Sequence, residues 1–165
     1  MENSNFKLQN LNLKPLFLPD AAATQNLGVR LGQKLSAGSV LLLEGDLGSG
    51  KTTLVQGIGA GLGIREAIDS PTFTLINEYL GGRLPLYHFD LYRLDPSETA
   101  AISPENYWEG VEVDLGIVAI EWSERLPYKP PSYLRIHLTY DQNSGRQALL
   151  NLAGHFPLES LEFFS

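Results

Sequence analysis

Gly45-Asp46-Leu47-Gly48-Ser49-Gly50-Lys51-Thr52 fits Gly-x-x-x-x-Gly-Lys-[Ser/Thr], the phosphate-binding P-loop. The glycines let backbone N–H groups close around phosphate oxygens without side-chain clashes. Lys51 then reaches the outer phosphates, and the Thr52 hydroxyl is placed for Mg²⁺. The flanks agree with this reading. Val40-Leu41-Leu42-Leu43 is a continuous apolar run, as expected of a buried parallel strand. Beyond the loop, Leu54, Ile58 and Leu62 recur every four residues, a helical stripe. The loop therefore joins a strand to a helix and sets a bound anion at the helix N-terminus.

Working outward, Leu11, Leu13, Leu16 and Leu18 suggest an extended segment, with Pro15 favouring a sheet edge. Asp20 is the expected N-cap of a helix from Ala21 to about Leu35, with Leu27, Leu31 and Leu35 on its apolar face. Gly38 is read as its stop signal, and the P-loop helix is expected to end around Gly61 and Gly63. Thr72 to Leu80 and Arg83 to Asp90 read as strands joined by a two-residue hairpin at Gly81-Gly82. Asp95-Pro96 and Ser103-Pro104 each place a capping residue before a proline, the mark of a short helix. Gly116 to Ile120 is a second fully apolar strand, ending in Glu121. Tyr133 to Tyr140 alternates, with Leu134, Ile136 and Leu138 on one face; a turn at 141–145 leads to a partner strand, Arg146 to Leu152. After Gly154 the tail carries Phe156, Leu161, Phe163 and Phe164, as a docking segment or the end of the core. The pattern predicts an α/β fold, a P-loop NTPase-like three-layer sandwich with a mixed, partly antiparallel central sheet.

With 165 residues and no linker or repeat, one domain over 1–165 is expected, with its core at about 20–154. Net charge is −7, from 12 basic and 19 acidic residues, which argues against a mainly electrostatic nucleic-acid binder. The chain has no cysteine, so disulfides, thiol nucleophiles and cysteine metal sites are excluded. Met1 to Asn5 lacks the basic and apolar regions of a signal peptide, and no apolar run approaches membrane-spanning length. A cytoplasmic protein without a membrane partner is expected.

A P-loop needs acids to hold Mg²⁺ and to aim a water or hydroxyl. In open α/β sheets these stand at the carboxyl ends of strands. Glu121 ends the apolar run Ile117–Ile120, in the Walker B position. Asp90 ends Leu86-Tyr87-His88-Phe89, and His88, Asp90 and Tyr92 share one strand face. Capping or salt bridging is the alternative fate of each acid, and metal and phosphate sites gather acids in this way. The Ser70, Thr72 and Thr74 hydroxyls suit either a switch loop at a γ-phosphate or ordinary turn chemistry; spacing alone favours the turn. Arg93 and Arg125 are candidate phosphate clamps, although surface salt bridges are commoner for arginine. Trp122 is expected on the face opposite Glu121, in the core or near the nucleotide. His88, His137 and His155 lack metal-ligand spacing and read as structural.

Several segments together resemble one family. They are Gly45–Thr53, Ser70-Pro71-Thr72-Phe73-Thr74-Leu75, Asn77-Glu78-Tyr79, His88-Phe89-Asp90-Leu91-Tyr92-Arg93-Leu94 and Ile120-Glu121-Trp122. Their order and spacing are similar to the bacterial TsaE (YjeE) family, the ATPase of tRNA threonylcarbamoyladenosine biosynthesis. The resemblance covers roughly Asp20 to Gly154. It implies an ATP- and Mg²⁺-dependent enzyme working with TsaB and TsaD, touching tRNA only indirectly. It implies ATP binding by Gly45, Asp46, Leu47, Gly48, Ser49, Gly50, Lys51, Thr52 and Thr53, with Thr24 near the base. Thr52 and Glu121 would hold the metal, Asp90 would lie at the metal and water side, and Lys51 would hold the phosphates. Ser70 to Thr74 would take the switch-like role, and Gly145-Arg146 matches a Gly-Arg pair without an assigned role. Residues Ser97 to Asp114 depart from the family pattern, and the first seventeen residues and the Phe-rich tail have no counterpart.

Hydrolysis would then be phosphoryl transfer to water, with Asp90 or Glu121 orienting it. Two other readings stay open: a small-molecule P-loop kinase with Asp90 as base, and a binding module switched by nucleotide. No Asn-Lys-x-Asp or Asp-x-x-Gly motif points to GTP.

Overall fold

The structure is a computed structural model, and it describes residues 9–157 and 161. The expectations for Met1–Asn5 and for Phe163 and Phe164 fall outside these residues. Among the described residues, four α-helices and eight strands follow in order: β1 Gln9–Asn12, β2 Leu16–Leu18, α1 Ala21–Lys34, β3 Val40–Glu44, α2 Lys51–Gly61, β4 Ile76–Tyr79, β5 Leu86–Asp90, α3 Pro96–Ala101, α4 Glu105–Glu109, β6 Ile117–Glu121, β7 Tyr133–Tyr140 and β8 Arg146–Gly154. The strands form one sheet in the order β1-β8-β7-β3-β6-β5-β4, with β2 also paired to β8.

The centre of the sheet, β7-β3-β6-β5, is parallel, and antiparallel strands close both sides. This is the expected mixed sheet. β3 and β6 are apolar along nearly their whole length because both of their faces are covered. Leu41, Leu43, Ile117 and Ala119 face the layer of α1 and α2, where Leu31, Leu54 and Ile58 are fully buried. Val40, Leu42, Val118 and Ile120 face the other layer, which receives Tyr107 and Trp108 of α4. Burial of each large aliphatic side chain stabilises the fold by about 1.5–3 kcal/mol.

α1 begins as expected, with the Asp20 carboxylate accepting from the Ala23 amide at 2.8 Å. Helices α1 and α2 then approach unusually closely. A Cβ added at Gly28 would lie 2.8 Å from the Ile58 nitrogen and 2.9 Å from the Gly57 Cα; one at Gly61 would lie 3.0 Å from the Gly32 Cα. Two pairs of glycines thus let the helix backbones touch.

Several local expectations change. The strand expected from Thr72 starts only at Ile76, because residues 72–75 turn and Leu75 adopts φ 68°. The strand expected from Arg83 starts at Leu86, and Tyr79 pairs with Leu86, so residues 80–85 replace the two-residue Gly81-Gly82 hairpin. Gly82 lies against α2 there, where a Cβ would be 2.7 Å from the Leu62 carbonyl oxygen. The Arg83 guanidinium fastens the segment to the Gly32 carbonyl of α1 and the Leu35 carbonyl just beyond it, at 2.7 and 2.8 Å. α1 ends at Lys34, so Gly38 does not stop it; Gly38 shapes the turn into β3 and donates to the Gly116 carbonyl. α3 carries the expected cap, with Asp95 and Glu98 forming a capping box. Ser103 makes no side-chain cap for α4, because Pro104 occupies the cap position.

Candidate functional site

The site lies where β3, β5 and β6 end beside the start of α2. Gly48 (φ 77°) and Gly50 (φ 108°) hold backbone conformations that side chains disfavour. With Gly50 at the N-cap and no side chain bonded across it, the first amides of α2 face the mouth of the loop. Lys51 Nζ folds back on this loop, donating to the Gly45 and Asp46 carbonyls at 2.5 and 3.0 Å. Burial pushes the Lys51 ammonium below its usual pKa, against the opposing pull of Glu121, Glu124, Asp90 and Asp46. The Trp122 ring centre lies 4.4 Å from Nζ.

Parallel pairing of β5 with β6 sets Asp90 level with Glu121. Both acids are buried, yet both line the same cavity. The Thr52 hydroxyl donates to Glu121 at 3.0 Å, joining the helix start to the end of β6. Asp90 accepts from the Ser70 hydroxyl at 2.7 Å with one oxygen and from the Tyr92 amide at 3.0 Å with the other. The cavity, about 350 Å³, is lined by the P-loop, Lys51, Thr52 and Thr53, and by Ser70, Thr72, Asp90, Tyr92, Glu121 and Trp122. A second pocket of about 240 Å³ continues over the other side of the loop, between Asp20, Thr24, Thr53 and Arg146.

Most residues singled out in the sequence therefore meet here. Leu47 and Thr53 line the first cavity, Ser49 and Thr24 the second, and Gly48, Gly50 and Thr53 border both. Gly45 and Asp46 contribute the carbonyls that hold Lys51. Thr74 lies elsewhere, with its hydroxyl on Asn77 at 2.7 Å. Trp122 touches the second core layer as expected from its register, but φ 57° turns it over the sheet end and into the cavity as well. Arg93 stacks on the Phe73 ring at 4.3 Å, and Arg125 donates to the Leu94 carbonyl at 3.2 Å, so neither enters the cavity lining.

Sequence reasoning missed two supports. Arg146 donates to the Ser49 and Gly48 carbonyls at 3.2 and 3.1 Å, and Tyr140, stacked with it at 4.1 Å, donates to the Leu47 carbonyl at 2.9 Å. Together they tie the carbonyl side of the P-loop to the β7–β8 hairpin. The only signal was the Gly145-Arg146 pair. His88, read as structural, places Nε2 2.5 Å from Glu121; its shared face with Asp90 was the available hint.

The donors offered to a cation are a hydroxyl and two carboxylates, all hard oxygens suited to Mg²⁺. Among the described residues no three or more His, Cys, Asp or Glu form a metal cluster of their own. Mg²⁺ is commonly held by one or two carboxylates together with phosphate oxygens and water.

A family model described as "Threonylcarbamoyl adenosine biosynthesis protein TsaE" matches residues 18–148, a span reaching from Leu18 across the P-loop and past Arg146. The chain belongs to the TsaE family. A Nostoc protein named tRNA threonylcarbamoyladenosine biosynthesis protein TsaE is 64% identical over 133 residues, 81% of this chain and 82% of the relative. A Synechocystis protein of the same name is 55% identical over 121 residues, 73% of this chain and 77% of the relative. The crystal structure of Bacillus subtilis YdiB superposes with TM-score 0.74 at 29% identity, covering 97% of both chains.

Proposed function

We propose that this chain is a Mg²⁺-dependent ATPase serving tRNA threonylcarbamoyladenosine formation, a single cytoplasmic domain with its core at about 20–154. It acts with TsaB and TsaD, and its net charge of −7 favours contact with tRNA through those partners rather than directly. The observation that carries this reading is the convergence of Lys51, Thr52, Asp90 and Glu121 on one cavity beside a phosphate-shaped loop.

In this reading the P-loop amides and Lys51 hold the phosphates, while Thr24 and Arg146 border the pocket for the base. Thr52 and Glu121 would hold the metal, which would supply positive charge against that of the transferring phosphate. Asp90 stands on the water side. Its bond to Ser70 links the attacking water to the 70–75 turn, so Ser70 and Thr72 sense the outer phosphate, with Thr74 supporting the turn. Lys51 exchanges its carbonyl partners for phosphate oxygens, which favours its charged form against burial.

The test is turnover of ATP with and without a purified TsaB–TsaD complex. The chain alone should bind ATP and release inorganic phosphate slowly without an acceptor, and the complex should raise the rate. Asp90→Ala should lower kcat by about 10²–10⁴-fold, the range of a positioned proton-transfer group. Phosphate appearing only on an added acceptor would replace the ATPase reading with a kinase. An unchanged rate with no ATP-dependent association would remove TsaB and TsaD as partners.

A further inference from the structure

His88 is a buried histidine (0% exposed) in β5, on the sheet face covered by α2. Its Nε2 lies 2.5 Å from Glu121 Oε2, and its Nδ1 has no hydrogen-bond partner. A carboxylate can only accept, so Nε2 is the donor across this contact.

Strand register explains how the contact arises. His88 pairs with Ala119, and Asp90 pairs with Glu121, so residues 88 and 121 are diagonal neighbours on one face. The small Ala119 side chain leaves the imidazole room to cross to the next carboxylate. Thr52 donates to the same carboxylate at 3.0 and 3.2 Å. Glu121 is thus gripped by two donors from different elements, one on the strand beside it and one on the helix above. Packing alone would favour an apolar side chain at position 88, because an orphaned polar atom in a core is destabilising. The imidazole is explained by the carboxylate it holds.

We propose that His88 is a positioning residue whose Nε2 contact fixes the orientation of the Glu121 carboxylate toward Thr52 and the cavity. This rests on the reading of Glu121 as the acid on the metal side. Hydrogen-bonded partners of metal-binding side chains typically change metal affinity or activity by about 10–100-fold when removed.

The test compares the full chain with His88→Leu and His88→Gln. ATP affinity is measured from tryptophan fluorescence with and without Mg²⁺. The wild type should bind ATP more tightly with Mg²⁺. His88→Leu should keep its Mg²⁺-free affinity and lose about 10–100-fold of the Mg²⁺-dependent gain. His88→Gln, whose amide reaches the same oxygen, should recover most of that loss. A full Mg²⁺ gain in His88→Leu, or no recovery in His88→Gln, overturns the inference while the ATPase reading stands. A wild type that gains nothing from Mg²⁺ overturns the metal role of Glu121 and the inference with it. If His88→Leu does not fold, the glutamine variant decides: a Mg²⁺ gain near that of the wild type supports the inference, and its loss overturns it.

Discussion

Two glycine-rich regions of this chain use the same residue for opposite reasons. In the P-loop, Gly48 and Gly50 have positive φ, and what matters is the backbone shape they allow. Between α1 and α2, Gly28, Gly32, Gly57 and Gly61 have ordinary helical geometry, and what matters is the side chain they lack. The first region shapes a ligand cradle. The second brings α1 close to α2, so that Thr24 reaches the P-loop, where a Cβ on Gly50 would lie 3.5 Å from the Thr24 methyl. Only the first region is spelled by a motif. In the second, glycine reads as a poor helix former, and its reason appears only when the partner helix is in place.

Gly57→Ala should have the largest effect on folding. Its Cβ would meet the Gln25 carbonyl and stand 3.0 Å from the Gly28 Cα, all backbone atoms that cannot swing aside. The expected loss is at or beyond the upper end of the roughly 1–3 kcal/mol typical of overpacking, read from urea unfolding. An unchanged midpoint would show that the helix contact carries little energy.

Gly48→Ala should cost less stability and more function. Forcing alanine into φ 77° costs about 1–2 kcal/mol, and its nearest neighbour is the Tyr140 hydroxyl at 3.1 Å, the end of a side chain. ATP binding should nevertheless fall sharply. If the two glycine variants lost stability and binding in the same proportion, the distinction between shape and space would collapse.

Arg146→Ala sharpens the comparison at the smallest scale. It removes two hydrogen bonds to P-loop carbonyls from a partly exposed side chain. ATP affinity should fall about tenfold, equivalent to about 1.4 kcal/mol, with a small change in the unfolding midpoint. Calorimetric titration of ATP checks this, and unaltered affinity would mean that the loop holds its shape unaided.

What could be read in the sequence followed from patterns that are local. β3, β6 and β7 are legible because their burial is written in runs or alternations of apolar residues, and Asp20 and Asp95 announce helices through their own caps. The errors share a cause. Thr72–Thr74 is β-branched and reads as strand, but Leu75 turns the chain and its amide bonds to the Pro71 carbonyl. Gly81-Gly82 reads as a tight hairpin, yet Gly82 is there for contact with the end of α2. In the site, Lys51, Thr52, Asp90 and Glu121 were visible as motif residues or strand ends. His88 and Arg146 act on atoms 33 and 97 residues away, which no local pattern encodes.

The clasp of Tyr140 and Arg146 on the P-loop has a consequence for a chain made from its N-terminus. The loop leaves the ribosome 93 to 98 residues before the groups that hold its carbonyls. The neighbouring strand β7 also arrives long after β3. A nascent chain therefore carries a complete phosphate-binding motif well before it owns a complete phosphate-binding site. Nucleotide can help to lock the fold only once the β7–β8 hairpin has been made.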